Sequence, residues 1–342
     1  MRQGFATLAV VGIAACVAVF AANYQPQASS LYSNLSADDM EFIKYTALYG
    51  KSYGTKEEFD FRSALFKKTL DFIRTENARN DNTFTVGMNK FADWTPAEYK
   101  RILGYKPSAK NYPVSYFNET NVAIPTSIDW RTSGDVNSVQ DQGQCGSCWA
   151  FSATATTESR TKIKTGTLYK FAEQQVVDCC NYGGSMGCNG GDEDSAFGYV
   201  KDKGLMLEKD YPYTAYDGNC QYNSAKVVAA SKNIGTTLVT PNSFMALKTA
   251  ISTGPVSVAI EADTGVFQFY SGGILNSASC GTDLDHAVVA VGYGVDATKG
   301  EYYIVRNSWG PTWGLKGYVN IAGGKDGAGI CGIQLDAAYP NY

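Results

Sequence analysis

The chain has 342 residues, of which 44% are hydrophobic and 18% are charged, and its formal net charge is -4. This length accommodates one large domain and a smaller one. The composition is that of an ordinary globular protein, and no run of Lys or Arg suggests a nucleic acid as partner.

The N-terminus is typical of a secretory signal peptide, which we place at residues 1–22. Arg2 supplies a positive charge, an apolar run extends from Phe5 to Phe20, and two alanines follow it. The run is shorter than the ~20 residues that cross a bilayer, so we expect its removal, with a short uncleaved anchor as the alternative. No membrane association is expected after signal removal.

Two helices and a strand are predicted next. Ser36 and Asp39 form a capping-box pattern at the start of the first helix. Apolar residues then recur at helical spacing from about Lys56 to Asn80. The sequence from Phe84 favours a short strand and a turn.

A linker rich in Pro, Ser, Asn and Tyr runs from Tyr105 to Pro125 without periodicity, as exposed connections do. Two glycosylation sequons, at Asn34 and Asn118, precede the end of this linker, so carbohydrate would be carried by the first part of the chain. The predicted divisions are a signal peptide at 1–22, an N-terminal segment at 23–122 and a main domain at 123–342.

The main domain is predicted to have a helical half followed by a β-rich half. Cys148 to Lys164 predicts a long helix, whereas the chain after Gly235 alternates apolar strands with glycine turns. The clearest strands are Val256–Ile260, Ala287–Val291, Tyr302–Val305 and Gly317–Ile321. This order predicts an α+β fold with a cleft between two lobes.

Cys16 lies inside the predicted signal peptide, and the other eight cysteines would ordinarily be expected to form disulfides, because the secretory compartment is oxidising. The closely spaced pair Cys145 and Cys148 admits other interpretations. A zinc site would need further ligands, and the only histidine, His286, lies far downstream. A redox dithiol would need a preceding strand, which the sequence does not offer. We predict no metal and no cofactor.

The third interpretation is that Cys148 is a nucleophile at a helix N-terminus, where unpaired N–H groups and the macrodipole favour a thiolate. Such a thiolate needs a histidine partner, and His286 precedes an apolar strand. Asn307 and Trp309 follow another strand and supply an amide and an indole. A lone histidine is more often structural, so the prediction depends on these partners.

With these residues the main domain resembles the papain-like cysteine proteases of the cathepsin L type. Cys145-Gly-Ser-Cys148-Trp149 matches the family signature around the nucleophile. His286 follows at the expected distance, and Asn307 follows slightly late, as a loop insertion would produce. The resemblance covers nearly the whole chain after the signal.

The N-terminal segment resembles the inhibitory prosegments of the same family. Gly87 to Asp93 completes a G-x-N-x-F-x-D motif, and Thr69 replaces one asparagine of an interrupted E-R-F-N-I-N series. The matching positions of that series are Glu58, Arg62, Phe66, Ile73 and Asn77. An amphipathic helix would explain the spacing but not the identities of these residues.

The resemblance implies a papain-like two-lobed fold, with a helical left lobe, a β-barrel-like right lobe and an active-site cleft between them. It implies peptide-bond hydrolysis through a thioester, with Cys148 as thiolate and His286 as imidazolium. Asn307 would orient the imidazole under Trp309, and Gln142 would donate to the oxyanion together with the Cys148 backbone N–H. An endopeptidase is expected; a non-catalytic relative and a peptide ligase are the competing classes.

Family alignment also implies the disulfides. The implied pairs are Cys145–Cys188, Cys179–Cys220 and Cys280–Cys331. Cys180 is left over, and it could be free, could exchange with its neighbour or could pair outside the chain.

Substrate is expected to pair with the stretch from Cys188 to Gly191, where glycines let a peptide backbone approach. The family's main specificity pocket receives the side chain two residues before the cut. The positions implied for substrate binding are Gly146, Gly190, Gly191, Asp192, Glu193, Ala259, Leu284, Asp285, Ala287, Trp309 and Asp336. Cathepsin L has apolar or small residues at three of these positions, where this chain has Asp192, Glu193 and Asp336. We therefore hypothesise that the pocket accepts Arg or Lys besides apolar side chains, the alternative being that these acids point to solvent.

The same resemblance implies a monomeric zymogen of the secretory pathway. The expected partners are protein and peptide substrates, the prosegment as inhibitor, and cystatin-type protein inhibitors. Acid should weaken the contacts of carboxylates such as Asp93, so self-processing near Val122 to Ile124 is expected on acidification. The expected compartment is a lysosome or an acidic digestive vacuole, with secretion from the cell as the alternative.

Overall fold

The computed structural model describes residues 35–107, 115–117 and 123–342. The predicted signal peptide, Asn34, Asn118 and most of the linker lie outside these residues. The chain divides into two compact units, Met1–Lys67 and Lys68–Tyr342. Within the described ranges, no helix is long and apolar enough to span a membrane.

The first unit contains helix α1 (Ala37–Leu48) and the first part of helix α2 (Lys56–Asn77). The predicted capping box is present: Oγ of Ser36 accepts from the N–H of Asp39 at 3.2 Å, and the Asp39 carboxylate accepts from the N–H of Ser36 at 2.9 Å. Aromatic side chains build the small core of this unit, in which Phe42 and Phe66 are both buried with ring centroids 5.3 Å apart.

Helix α2 ends at Asn77, earlier than the predicted Asn80, because the Asn77 side chain is bound to strand β1 (Phe84–Val86). Nδ2 of Asn77 donates to the carbonyl of Val86 at 2.7 Å, and the N–H of Val86 donates to Oδ1 of Asn77 at 2.9 Å. Thr69, which replaces the expected asparagine, donates its hydroxyl to the carbonyl of Ala92 at 3.0 Å. The replacement thus keeps a hydrogen bond to the G-x-N-x-F-x-D segment.

Helix α4 is the central helix of the second unit. It begins at Cys148, as predicted, and its residues from Cys148 to Ser159 are all buried. The helices after α2 are α3 (Pro96–Lys100), α4 (Cys148–Thr165), α5 (Glu173–Cys179), α6 (Glu193–Lys203), α7 (Phe244–Ser252) and α8 (Gly265–Gln268).

The predicted strands are present, and the α+β class is confirmed. The strands after β1 are β2 (Ser115–Tyr116), β3 (Ile128–Asp129), β4 (Leu205–Met206), β5 (Val227–Val228), β6 (Gly235–Leu238), β7 (Val256–Ile260), β8 (Tyr270–Leu275), β9 (His286–Asp296), β10 (Gly300–Arg306), β11 (Tyr318–Ala322) and β12 (Ala337–Asn341).

The main sheet is open rather than closed. Its strand order is β1-β8-β11-β10-β9-β7-β12-β6-β2, with β3 paired to β9, and β4 pairs separately with β5. Among the described residues the two ends of this order do not meet, so the β-barrel-like part of the prediction is corrected to an open sheet. Within the predicted linker, the described residues Ser115–Tyr116 form strand β2, which pairs with β6.

Two strand pairings in the sheet position His286 and the predicted prosegment. Strand β9 begins at His286, which pairs with Ile260 of β7. Strand β1 of the predicted prosegment pairs with β8, with Phe84 opposite Gly273. Gly273 has a φ of +80°, and a Cβ there would lie 2.4 Å from the carbonyl oxygen of Thr83, so the approach of β1 requires glycine.

Candidate active site

The sulfur of Cys148 is enclosed. The residue opens α4 and is 0% exposed. Its Sγ accepts a hydrogen bond from the backbone N–H of Gly104 at 3.3 Å. The backbone N–H of Ala287, the residue that follows His286, also acts on the sulfur and lowers the pKa of the thiol.

The imidazole of His286 is oriented by one hydrogen bond and one ring contact. Nε2 lies 2.8 Å from Oδ1 of Asn307, and because an amide oxygen only accepts, Nε2 carries the proton. Among the described residues, Nδ1 has no hydrogen-bond partner. Trp309 stacks on the imidazole at a centroid distance of 4.7 Å and an interplanar angle of 26°. Nδ1 is therefore the nitrogen that can take a proton from a nucleophile.

Trp309 itself is packed inside an aromatic cluster that excludes water. Two members, Phe91 and Tyr99, come from the predicted prosegment, and Phe267 and Trp313 come from the main domain. Their ring centroids lie 5.2, 5.6, 5.6 and 5.1 Å from that of Trp309, respectively. The prosegment motif around Phe91 therefore contacts the side chain that covers the imidazole.

Burial disfavours the charged forms of the thiol and the imidazole in this form of the protein. Burial raises the pKa of Cys148 to about 12, although the N–H groups of Ala287 and Gly104 partly oppose this shift. Burial lowers the pKa of His286 to about 4, and the hydrogen bond to Asn307 partly opposes it. The expected thiolate and imidazolium are therefore disfavoured here, because both side chains are buried and a charge on either would lose its solvation.

The side-chain amide of Gln142 is also hydrogen-bonded to the predicted prosegment. Its Nε2 donates to the carbonyl oxygens of Ile102 and Cys145, both at 2.8 Å. Its Oε1 accepts from the hydroxyl of Ser308 at 2.6 Å, which fixes the orientation of the amide. The group predicted to stabilise an oxyanion thus already binds a carbonyl oxygen.

The backbone of residues 104–106 runs along the cleft as an added strand. The N–H of Gly191 donates to the carbonyl of Gly104 at 3.0 Å, and the carbonyl of Gly191 accepts from the N–H of Lys106 at 2.9 Å. These two bonds make a parallel bridge between Tyr105 and Gly191. The N–H of Tyr105 donates to the carbonyl of Asp285 at 2.9 Å. These residues lie at the start of the predicted linker, where the sequence has no periodic signal, and the prediction missed their role.

Glycines on both sides make this approach possible. A Cβ on Gly104 would lie 1.8 Å from the carbonyl oxygen of Gly146, and one on Gly146 would lie 2.5 Å from the carbonyl oxygen of Cys188. A Cβ on Gly190, whose φ is +110°, would lie 2.7 Å from the carbonyl oxygen of Gly104. Side chains at these positions would prevent a peptide backbone from entering.

The side chain of Tyr105 fills an adjoining pocket. It is buried in one cluster with Cys148, Ala259 and Ala287, against which Leu284 also packs. Its hydroxyl donates to Oδ2 of Asp336 at 2.7 Å. Several residues predicted for the specificity pocket thus lie in the same buried cluster as this prosegment side chain.

The acids of this pocket do not point freely to solvent. Glu193 is 1% exposed and Asp192 is 4% exposed, while Asp336 is half-buried. Oδ1 of Asp192 accepts from the N–H of Ser195 at 2.6 Å and caps helix α6. Burial and then the neighbouring Asp336 raise the pKa of Glu193 well above its usual value.

Asp285, beside the histidine, has a neighbourhood rich in carboxylates. Burial raises its pKa to about 7, and Asp263 and Glu261 add to the shift. Its Oδ1 accepts from the N–H of Ala262 at 2.8 Å. Lys100 of the predicted prosegment forms an ion pair with Asp263 at 2.9 Å.

The three predicted disulfides, Cys145–Cys188, Cys179–Cys220 and Cys280–Cys331, are present. Cys148 and Cys180 are free thiols. Cys180 is buried, and its Sγ lies 3.7 Å from the carbonyl oxygen of Ser195. Of the three alternatives for Cys180, the structure shows the free thiol.

A thiol, an imidazole and an amide held together under the chain's own N-terminal segment define the class of thiol protease zymogens. Residues 124–341 match the family described as "Papain family cysteine protease", and residues 42–99 match "Cathepsin propeptide inhibitor domain (I29)". The chain belongs to the papain family of cysteine proteases and carries a cathepsin-type propeptide.

Relatives match over most of their length. Procathepsin L of Rattus norvegicus is 40% identical, and the match covers 88% of this chain and 91% of the relative. Germination-specific cysteine protease 1 of Arabidopsis thaliana is 44% identical, with coverage of 87% and 83%. The structure of digestive procathepsin L 3 from the larval midgut of Tenebrio molitor superposes with a TM-score of 0.81 at 35% identity, covering 90% of this chain and 100% of that one. The chain is thus a hydrolase precursor of cathepsin L-like type.

Proposed function

We propose that the processed protein is an endopeptidase in which Cys148 attacks the peptide carbonyl and His286 transfers the proton. The observation that carries this proposal is the hydrogen bond between Nε2 of His286 and Oδ1 of Asn307, which leaves Nδ1 of His286 available. The next residue, Ala287, acts on the Cys148 thiol through its backbone N–H. A neutral imidazole with one bound and one available nitrogen is the arrangement that a general base requires.

The reaction then proceeds in two halves. The thiol proton passes to Nδ1 of His286, and the Cys148 sulfur forms a bond to the carbonyl carbon. The imidazolium gives its proton to the leaving amine, which leaves a thioester on Cys148. Water, deprotonated by the same imidazole, attacks this thioester and releases the acid product and the thiol. Asn307 holds the ring in one tautomer through both halves.

We assign stabilisation of the oxyanion to two hydrogen-bond donors, the side-chain amide of Gln142 and the backbone N–H of Cys148. Support comes from the hydrogen bond between Nε2 of Gln142 and the carbonyl oxygen of Ile102 at 2.8 Å, because this oxygen is an acceptor of the kind that a substrate carbonyl would present. The thiolate–imidazolium pair belongs to the processed enzyme, in which water can reach both groups once residues 102–105 have left.

We assign residues 1–22 to a signal peptide, 23–122 to the prosegment and 123–342 to the mature enzyme. Self-processing near Val122 to Ile124 is favoured by acid. In support, two lysines of the prosegment are paired with carboxylates of the main domain, Lys90 with Asp141 at 2.6 Å and Lys100 with Asp263 at 2.9 Å. Ion pairs depend on the charge of both partners, so these contacts are ones that a change of charge would weaken.

The main specificity pocket is proposed to accept Arg and Lys as well as apolar side chains. The burial of Glu193 and the half-buried position of Asp336 support this, because a basic side chain would compensate carboxylates that are partly removed from water. Turnover of matched peptides with Arg or Leu at this position, with and without Asp336→Ala, tests the idea. An Arg to Leu ratio unchanged by the substitution would contradict it.

The enzyme is further proposed to act as a monomer on protein and peptide substrates and to bind cystatin-type inhibitors. A lysosome or acidic digestive vacuole is the compartment in which acid processing would occur, and release from the cell is the alternative. Carbohydrate at Asn34 or Asn118 would be lost with the prosegment.

The deciding experiment is mass spectrometry of acidified protein in the presence of a thiol-directed peptide inhibitor. We expect a mature N-terminus near residue 123, one inhibitor on Cys148 and an unlabelled Cys180. A Cys148→Ala protein should remain unprocessed and unlabelled. Equally fast processing of this variant would contradict the proposal, and ligated product after addition of a peptide amine would reveal a transferase.

A further inference from the structure

The hydroxyl of Tyr213 lies between the two ends of the segment that leads to the nucleophile, residues 142–147. It donates to the backbone carbonyl of Gln142 at 2.8 Å, and the hydroxyl of Ser147 lies 2.7 Å from it. Gln142 begins this segment, and Ser147 ends it, directly before Cys148. One phenol therefore contacts both ends of the segment.

The direction of these hydrogen bonds follows from the chemistry of the three groups. A carbonyl oxygen only accepts, so the phenol proton goes to Gln142, and the Ser147 hydroxyl donates to the phenol oxygen. Burial raises the pKa of Tyr213, so the phenol keeps its proton, and the hydrogen bond from Ser147 partly opposes this shift. The three groups thus form one chain, from Ser147 through Tyr213 to Gln142.

Ser147 takes part in this chain instead of capping helix α4. It immediately precedes the helix, where a serine usually has an extended backbone and accepts from an N–H of the first turn. Here its φ is -99° and its ψ is 16°, and its side chain makes no capping hydrogen bond. The buried Ser147 hydroxyl is therefore directed to the phenol and not to the helix.

The phenol is held firmly against helix α4. The ring of Tyr213 meets that of Phe151 edge to face, with a centroid distance of 4.8 Å and an interplanar angle of 85°. The N–H of Tyr213 donates to Oε1 of Glu208 at 3.2 Å, and the N–H of Thr214 donates to Oε1 of Gln174 at 2.8 Å. These contacts fix the phenol oxygen relative to the helix that begins at Cys148.

Resting on the proposed endopeptidase function, we infer that Tyr213 is a positioning residue that sets the spacing of the two oxyanion donors, the side-chain amide of Gln142 and the backbone N–H of Cys148. One donor belongs to the first residue of the segment and the other to the residue just after it, so their spacing depends on how both ends are held. Donors stabilise an oxyanion only within about 2.7–3.1 Å of its oxygen, and a misplacement of about 1 Å can cost roughly a hundredfold in rate.

Tyr213→Phe tests this inference on acid-activated protein, because it removes the hydroxyl and keeps the ring against Phe151. A peptide aldehyde forms a tetrahedral adduct on Cys148 whose oxygen uses both donors, whereas iodoacetamide alkylates the sulfur without them. We expect the variant to bind the aldehyde roughly tenfold more weakly and to lose kcat for a short peptide by a similar factor. KM and the alkylation rate should stay at the wild-type values. Active-site titration supplies the enzyme concentration.

The pH dependence of alkylation is the readout that separates the oxyanion donors from the thiol. Asp285 acts on the sulfur of Cys148, and Glu173 and Asp141 act on the phenol. Tyr213→Phe changes none of these carboxylates and leaves His286 in place. The pH profile of alkylation should therefore match that of the wild type while the aldehyde affinity falls.

Two further variants complete the design. Tyr211→Phe is the matched control, because its hydroxyl contacts Asp178, Asn219 and Gln221 and no residue of the segment. It should keep the aldehyde affinity of the wild type. Ser147→Ala should weaken aldehyde binding in the wild-type background and have no effect in the Tyr213→Phe background, because the serine hydroxyl acts through the phenol.

The outcomes separate the two levels of the argument. Unchanged aldehyde binding in Tyr213→Phe, with an active wild type, would overturn the inference and leave the endopeptidase in place. Equal losses of aldehyde binding and alkylation would also overturn it, because they would show a general disturbance of the site. The same effect of Ser147→Ala in both backgrounds would disprove the chain through the phenol. A wild type that neither cleaves peptides nor is labelled at Cys148 would overturn the proposed function itself.

Discussion

The side-chain amide of Gln142 donates to the backbone carbonyl of Ile102 at 2.8 Å, so a prosegment oxygen occupies the position that we assign to the oxyanion. Two residues later along the chain, Gly104 donates to the sulfur of Cys148 at 3.3 Å, and Tyr105 shares a buried cluster with Ala259 and Ala287, which we assign to the specificity pocket. Three consecutive parts of the prosegment thus block three consecutive parts of the site. On this assignment the prosegment would inhibit by occupying the catalytic groups themselves.

Gly104→Ala should release this block. The new Cβ would lie 1.8 Å from the carbonyl oxygen of Gly146, which is backbone and cannot rotate away. We expect Cys148 of the unprocessed protein to be alkylated at neutral pH roughly tenfold faster than in the wild type, since overpacking of this kind typically costs about 1–3 kcal/mol. The measurement is the rate of iodoacetamide labelling before processing.

Gly54→Ala is the control for this prediction. It is also a prosegment glycine, but a Cβ there meets only a Glu58 carboxylate oxygen at 4.0 Å. Its labelling rate should equal that of the wild type. Identical rates for Gly104→Ala and Gly54→Ala would mean that Gly104 does not restrain the site.

The pH at which Cys148 becomes reactive should be much lower after processing than before it. In the zymogen the pKa of Cys148 is raised to about 12, so alkylation should stay slow at neutral pH and increase only in strong alkali. After prosegment removal we expect fast labelling at neutral and mildly acidic pH. Mass spectrometry of labelled peptides reports this, and Cys180, whose pKa burial also raises to about 12, should stay unlabelled in both forms at neutral pH. Equal rates before and after processing would contradict the prediction.

Local chemistry made much of this structure predictable. The capping box at Ser36, the helix that opens at Cys148 and the strand that opens at His286 all follow from short-range patterns, because caps and apolar periodicity act within a few residues. The disulfides could be assigned only through family resemblance, because spacing does not determine connectivity.

The contacts of residues 102–105 could not be predicted in the same way. They have no periodicity, and their conformation is imposed by the cleft: Gly191 pairs with the backbone of Gly104, and Asp336 binds the hydroxyl of Tyr105. The neutral state of Cys148 was missed for a related reason, because the helix N-terminus is a local feature of the sequence, whereas burial by a distant segment is not. The open path of the sheet likewise depends on long-range pairing.

Gln142→Ala should impair catalysis more than folding. The substitution removes the proposed oxyanion donor, and loss of one such donor typically costs about 10²–10³ in kcat. It also removes the bond to Ile102, so the zymogen should become easier to label at Cys148. The measurement is kcat for a short peptide with the processed variant. Gln140→Ala is the control, because that half-buried side-chain amide donates only to Ser138 among the described residues; equal kcat values for both variants would refute the role of Gln142.

Asp285→Asn should stabilise the zymogen at alkaline pH. The pKa of Asp285 is raised from 3.8 to about 7 by burial and by neighbouring carboxylates, so the folded state holds this proton more tightly than the unfolded chain. The associated stability is fully present below about pH 4 and is lost as the pH rises through about 7. Asparagine stays neutral and can still accept from the N–H of Ala262 through its oxygen.

Thermal unfolding in a Cys148→Ala background should therefore give a higher Tm for the variant at pH 8 and nearly equal values at pH 4. Asp296→Asn should behave oppositely, because backbone N–H groups lower the pKa of Asp296 and its contribution is lost on acidification. A Tm difference for Asp285→Asn that does not depend on pH would show that its carboxyl does not titrate between these limits.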